Sequence, residues 1–107
     1  MNNRIEYLIQ TNRAEGYDKH DPKSLFDLIK FLDANFTLKQ PSLTLSPTGT
    51  FRCTWKGDDH YFAAEFFGSD IIRYVVFFKL ASSKMLRYNG VSDSTFVVDI
   101  VSQLYTI

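Results

Sequence analysis

Residues 42–79 read SLTLSPTGTFRCTWKGDDHYFAAEFFGSDIIRYVVFFK, and this stretch decides the fold. It divides into four β-strands joined by three tight turns, each turn marked by glycine: Gly49, Gly57 and Gly68. Side chains alternate faces along a strand, so the turns fix which residues share a side. Pro47-Thr48-Gly49 suits a three-residue hairpin loop, with Pro at the first turn position and Gly at the left-handed one. That sets Leu45 opposite Phe51 and Leu43 opposite Cys53. Gly57-Asp58 as a two-residue loop pairs Lys56 with Asp59 and Trp55 with His60, and sets Phe62 beside Cys53 and Ala64 beside Phe51. A three-residue Gly68-Ser69-Asp70 loop pairs Glu65 with Arg73 across the strands, whereas a two-residue loop would carry Arg73 onto the apolar face.

One face then collects Leu43, Leu45, Phe51, Cys53, Trp55, His60, Phe62, Ala64, Phe66, Ile72, Tyr74, Val76 and Phe78, which is a core face. The other carries Arg52, Thr54, Lys56, Asp59, Tyr61, Glu65 and Arg73, but also Phe67, Ile71, Val75 and Phe77. An antiparallel sheet covered on one side is expected to be polar on the other. The second apolar corner therefore calls for a covering partner.

Outside the meander, Ile5, Leu8 and Ile9 predict a short amphipathic helix over about residues 3–14. Asp21-Pro22 is a helix start, and Leu25, Leu28, Ile29, Leu32 and Phe36 continue as an apolar stripe over about residues 22–35, widened by Phe26 and Phe31. Residues 85–89 offer a fifth, edge strand, with Asn89-Gly90 read as a turn. Ser92 or Asp93 then caps a last helix over about residues 93–105, with Val97, Ile100, Val101 and Leu104 on its buried side. The expected fold is a two-layer α+β domain: a four- or five-stranded antiparallel meander with N-terminal helices and a C-terminal helix packed on it.

At 107 residues, with 10 Phe and 6 Tyr, the chain can bury a core as one domain without metal or disulfide support. Its 12 basic and 12 acidic residues cancel, so no overall electrostatic footprint points to duplex DNA or an anionic membrane. The single cysteine fits a reducing compartment, and neither a membrane span nor a signal peptide is legible, which leads us to expect a cytoplasmic protein.

Cys53 and His60 are the pair to consider for nucleophilic catalysis, since a thiol needs a neighbouring base to ionise near neutrality. In the expected register they share a face on a diagonal, which allows a contact without imposing one. Packing of Cys53 among aromatics and a rim position for His60 explain both residues without catalysis. Asp58, Asp59 and His60 lack the spacing of a metal site, and no glycine-rich phosphate loop precedes a helix, so no metal or cofactor is expected.

The segment from Pro41 to Phe67 resembles a motif of small bacterial α+β proteins of unknown function. In that family a helix precedes a meander of the form Pro-x-Leu-x-Leu, Pro-x-Gly, a tryptophan, Gly-Asp and Ala-x-Glu-Phe. The matching residues are Pro41, Leu43, Leu45, Pro47, Gly49, Trp55, Gly57, Asp58, Ala63, Glu65 and Phe66. The resemblance implies a bacterial origin and this fold, in a class of small proteins that often serve as antitoxins or immunity proteins.

The sequence thus points to a non-enzymatic interaction module that engages a protein partner, or its own copy as a homodimer, through Phe67, Ile71, Arg73, Val75 and Phe77. Two other classes compete with it. One is a small enzyme using Cys53 with His60; the other is a single-strand nucleic-acid binder on the mixed basic and aromatic face, which we disfavour.

Overall fold

The computed structural model describes residue 10 and residues 21–35, 39–82 and 84–105. Apart from Gln10, the helix expected over residues 3–14 lies outside the described residues, as does Phe36. Helix α1 spans Pro22–Ala34 and is followed by strands β1 (Ser42–Leu45), β2 (Phe51–Lys56), β3 (His60–Phe66), β4 (Ile72–Lys79) and β5 (Met85–Ser92), then helix α2 (Ser94–Leu104). The strands form one antiparallel sheet in the order β1-β2-β3-β4-β5. Both helices pack on the same face of it, giving a two-layer α+β meander.

The first and third turns follow the sequence closely. Ser46 and Thr50 close the loop Pro47-Thr48-Gly49 by a Ser46 N–H to Thr50 carbonyl bond of 2.9 Å, with Gly49 at φ 95°. Leu45 faces Phe51 and Leu43 faces Cys53, as expected. In the third turn Phe67 donates to the Ile71 carbonyl at 3.0 Å, and Gly68, Ser69 and Asp70 all hold positive φ, at 97°, 56° and 59°. Glu65 then sits opposite Arg73. This turn is tied to both helices, because the Asp70 N–H donates to Asp27 Oδ2 at 2.9 Å and Asp70 Oδ1 accepts from the Ser94 N–H at 3.0 Å.

The second hairpin differs from expectation by two residues. Lys56 faces Tyr61, Trp55 faces Phe62, Cys53 faces Ala64 and Phe51 faces Phe66. Lys56 is therefore not paired with Asp59, nor Trp55 with His60. The turn is the longer Gly57-Asp58-Asp59-His60, closed by a 2.9 Å bond from the Gly57 N–H to the His60 carbonyl. A slip of two leaves every side chain on its face, so both registers satisfy alternation. Aromatic packing separates them: the observed one sets Trp55 against Phe62 with ring centroids 5.8 Å apart and lets Phe31 of α1 rest on Phe66 at 5.6 Å. The His60 ring folds back over Gly57, where a Cβ would stand only 2.0 Å from it.

Strand β5 also departs from the expectation that it ends at a turn after residue 89. It runs unbroken through Asn89-Gly90 to Ser92, with Gly90 opposite Tyr74. The glycine serves a close approach: a Cβ there would lie 2.9 Å from the Tyr74 hydroxyl and 3.1 Å from its ring.

The core joins Leu28 and Phe31 of α1 and Val97 and Val101 of α2 to Phe51, Cys53, Trp55, Phe62, Ala64, Phe66, Ile72 and Val76 of the sheet. Asp21 caps α1 by accepting from the Lys23 N–H at 2.9 Å, and Asp93 caps α2 by accepting from the Phe96 N–H at 3.1 Å. Phe26 does not widen the stripe of α1: it stands about 160° round the helix from Leu28 and is 67% exposed. Ser24 lies on the buried side instead and accepts from the Phe51 N–H at 2.8 Å.

Candidate protein-binding groove on the outer sheet face

With α1 and α2 both on the core face, no described element covers the opposite side of the sheet. That side holds a shallow groove of about 900 Å³ running across β3, β4 and β5. Its apolar floor is Tyr61, Ala63, Val75 and Phe77, extended by Met85 and Val91 of β5. Val75 and Phe77 are half-buried, Met85 and Val91 exposed. Strand alternation explains the set, since β4 and β5 present every second residue to this side.

Arg52, Arg73 and Arg87 line the groove, against a single carboxylate, Glu65. Glu65 is already engaged locally. It forms an ion pair with Arg52 at 3.3 Å and accepts a hydrogen bond from the Thr50 hydroxyl. Its expected partner Arg73 is opposite in register but turns away, laying its guanidinium over the Phe67 ring at 5.2 Å. Arg87 likewise lies over Phe77 at 5.6 Å, and Tyr61 meets Phe77 edge-on at 5.7 Å. Neither Arg73 nor Arg87 forms an ion pair among the described residues.

Of the residues singled out from sequence, Arg73, Val75 and Phe77 line the groove itself. Phe67 is half-buried beneath Arg73, and Ile71, 49% exposed, continues the same face beyond the groove's end. The sequence offered β5 only as an edge strand over residues 85–89, and its contribution to this face was not read. Met85, Arg87, Asn89 and Val91 alternate onto this face and could have been read from their spacing had Asn89-Gly90 not suggested a turn.

Cys53 and His60 are not brought together. Cys53 is fully buried opposite Leu43 and Ala64, whereas His60 sits four residues from Ala64 along β3, roughly 13 Å away at the rise of a strand. The imidazole packs edge-on against Tyr105 at 4.7 Å, and its Nδ1 has no hydrogen-bond partner among the described residues. Cys53 is wholly buried and has no route to a substrate. Among the described residues no cluster of three or more His, Cys, Asp or Glu side chains could hold a metal ion, and no helix is long and apolar enough to cross a membrane.

Compared with protein-family models, curated proteins and solved structures, the chain has no match among any of the three.

Proposed function

We propose that this chain is a non-enzymatic interaction module whose groove receives a segment of a different protein bearing carboxylates on an apolar backbone. The observation that carries this reading is the uncovered floor of Val75, Phe77 and Tyr61 bordered by Arg73 and Arg87, neither of which has a carboxylate partner among the described residues. Apolar floor supplies the burial; the guanidinium groups select acidic groups and steer their approach. Pairing of two such grooves face to face would set arginines against arginines, so we assign the groove to a different chain. An antitoxin or immunity protein is one kind of chain with this behaviour.

Single-strand nucleic acid fits less well. Base stacking needs open ring faces, and here Phe67 and Phe77 are each already covered by an arginine from their own sheet.

The test uses three short synthetic peptides, alternating Leu with Glu, Gln or Lys, and a thymidine oligonucleotide, titrated against the whole chain. The Glu/Leu peptide should bind and the Lys/Leu peptide should not. Arg73→Glu and Arg87→Glu should each weaken the Glu/Leu complex about tenfold or more, while Phe26→Ser, on the far side of the molecule, should leave it unchanged. Equal binding of all three peptides, or oligonucleotide binding with steep salt dependence and no peptide binding, would overturn the proposal. So would peptide binding that emerges only after deletion of residues 1–20, because the groove's occupant would then belong to the chain itself.

A further inference from the structure

The two edges of the sheet are unlike. Strand β1 is four residues long and polar on its outward side at Ser42 and Thr44. Strand β5 is eight residues long, contains no proline and no lysine, and pairs with β4 without a bulge. Natural sheets shield their edges with short strands, lysines, prolines or bulges. β5 has none of these; its one charged side chain, Arg87, lies over the Phe77 ring, and the strand exposes Met85, Leu86, Tyr88 and Val91 at once, two on each face of the sheet.

Its backbone is equally uncommitted. The Leu80 N–H donates to the Lys84 carbonyl at 2.8 Å, which makes Leu80 and Lys84 a hydrogen-bonded pair. Such pairs recur at every second residue of an antiparallel ladder. Leu86, Tyr88, Gly90 and Ser92 therefore direct their backbone groups toward β4, while Met85, Arg87, Asn89 and Val91 direct theirs to the open edge. Each copy thus offers four N–H donors and four carbonyl acceptors in a row, unpaired among the described residues.

We propose that a second copy of this chain docks here, its β5 pairing antiparallel with the first across a two-fold axis at Tyr88, so that two five-stranded sheets become one. The register follows from the residues. Only pairings that match outward-facing positions to each other form hydrogen bonds. Centring on Arg87 opposes arginine to arginine, which like-charge repulsion disfavours. Centring on Asn89 carries Met85 against the partner's Asp93, the α2 cap, where the strand has ended. Centring on Tyr88 opposes Met85 to the partner's Val91 and Arg87 to the partner's Asn89 on the groove face, and on the other face Leu86 to the partner's Gly90 and Tyr88 to its own copy. This register uses nearly the whole strand and pairs all eight backbone groups. It also runs the two grooves together into one surface.

Light scattering on the purified full chain should give twice the 12.4 kDa chain mass, and Asn89→Pro should give the single-chain mass with an unchanged circular dichroism spectrum. Asn89 points its N–H outward, where an edge strand tolerates proline. Because that variant could instead misfold, a second measurement is decisive. Under mild oxidation Tyr88→Cys should cross-link to its own copy, since residues facing each other across a non-hydrogen-bonded pair come within disulfide reach, while Leu86→Cys should not. A single-chain mass for the wild type, a folded Asn89→Pro dimer, or cross-linking at Leu86→Cys without Tyr88→Cys would overturn the proposal. The pairing runs through the β5 backbone and does not involve Arg73 on β4, so Arg73→Glu should leave the mass doubled; loss of the dimer in that variant would place the interface on the groove floor and overturn the edge assignment.

Discussion

The phenol of Tyr105, one residue past the end of α2, donates a 3.0 Å hydrogen bond to the backbone carbonyl of Trp55 at the far end of β2. The ring is buried, with His60 edge-on at 4.7 Å and the Lys39 ammonium over its face at 5.6 Å. One side chain thus closes the C-terminal end of the helical layer onto the sheet. It also fills the corner between β2 and β3 that the second turn leaves open.

That contact makes stability sensitive to alkali. Burial, reinforced by Tyr61 nearby, pushes the Tyr105 hydroxyl up from 10.0 to about 12. The folded chain therefore holds this proton more tightly than the unfolded chain does. The stability so contributed is fully present below pH 10.0 and is lost as pH rises through about 12. Tyr105→Phe should cost about 1 kcal/mol at neutral pH through the lost hydrogen bond, and its urea midpoint should fall less steeply than the wild type's over the alkaline window. Parallel curves for the two proteins would show that Tyr105 is not the responsible group.

Ser24 tests how firmly α1 is fastened. Its hydroxyl is the acceptor for the buried Phe51 N–H at 2.8 Å, at the first residue of β2. Ser24→Ala removes that hydrogen bond, a loss of about 0.5–1.5 kcal/mol. Urea unfolding should show a lower midpoint with an unchanged slope. Ser24→Thr, which keeps the oxygen, should recover part of the loss.

Much of the sheet was legible from alternation alone, and where reading failed it failed for identifiable reasons. Gly49 fixed the first hairpin, and the Glu65–Arg73 pairing fixed the third because the shorter loop there would have carried Arg73 onto the apolar face. The Gly57 hairpin admits two that differ by an even slip, and only the packing of Trp55 on Phe62 distinguishes them. Phe26 was expected to widen the apolar stripe of α1 yet stands on the exposed side of the helix. The outer-face cluster of Val75, Phe77 and Arg73, and Arg87 of the expected edge strand, could be read from strand parity, whereas Val91 could not, because the glycine beside it answers to a tertiary neighbour, not to a turn.

Gly90 offers a direct check on that point. Gly90→Ala would drive a methyl group toward the Tyr74 hydroxyl at 2.9 Å and ring at 3.1 Å. A strand interior otherwise favours Ala over Gly, so a backbone-only view expects stabilisation. Crowding should reverse the sign and cost about 1–3 kcal/mol. In a Tyr74→Phe background, where the nearest clashing atom is gone, the penalty should shrink; an equal penalty in both backgrounds would mean the two side chains do not interact.

Cys53 separates an interaction module from a thiol enzyme. It is fully buried between Leu43 and Ala64, with no exposed atom through which a reagent could reach it. Labelling by a small thiol reagent must then wait for the sheet to open. For a domain of ordinary stability that means a rate about a thousandfold or more below that of the urea-unfolded chain. The native rate should rise in Ser24→Ala in proportion to its lost stability, since both depend on the same opening. Labelling of the native chain at the rate of an exposed thiol would contradict this burial, and it would return Cys53 to consideration as a nucleophile.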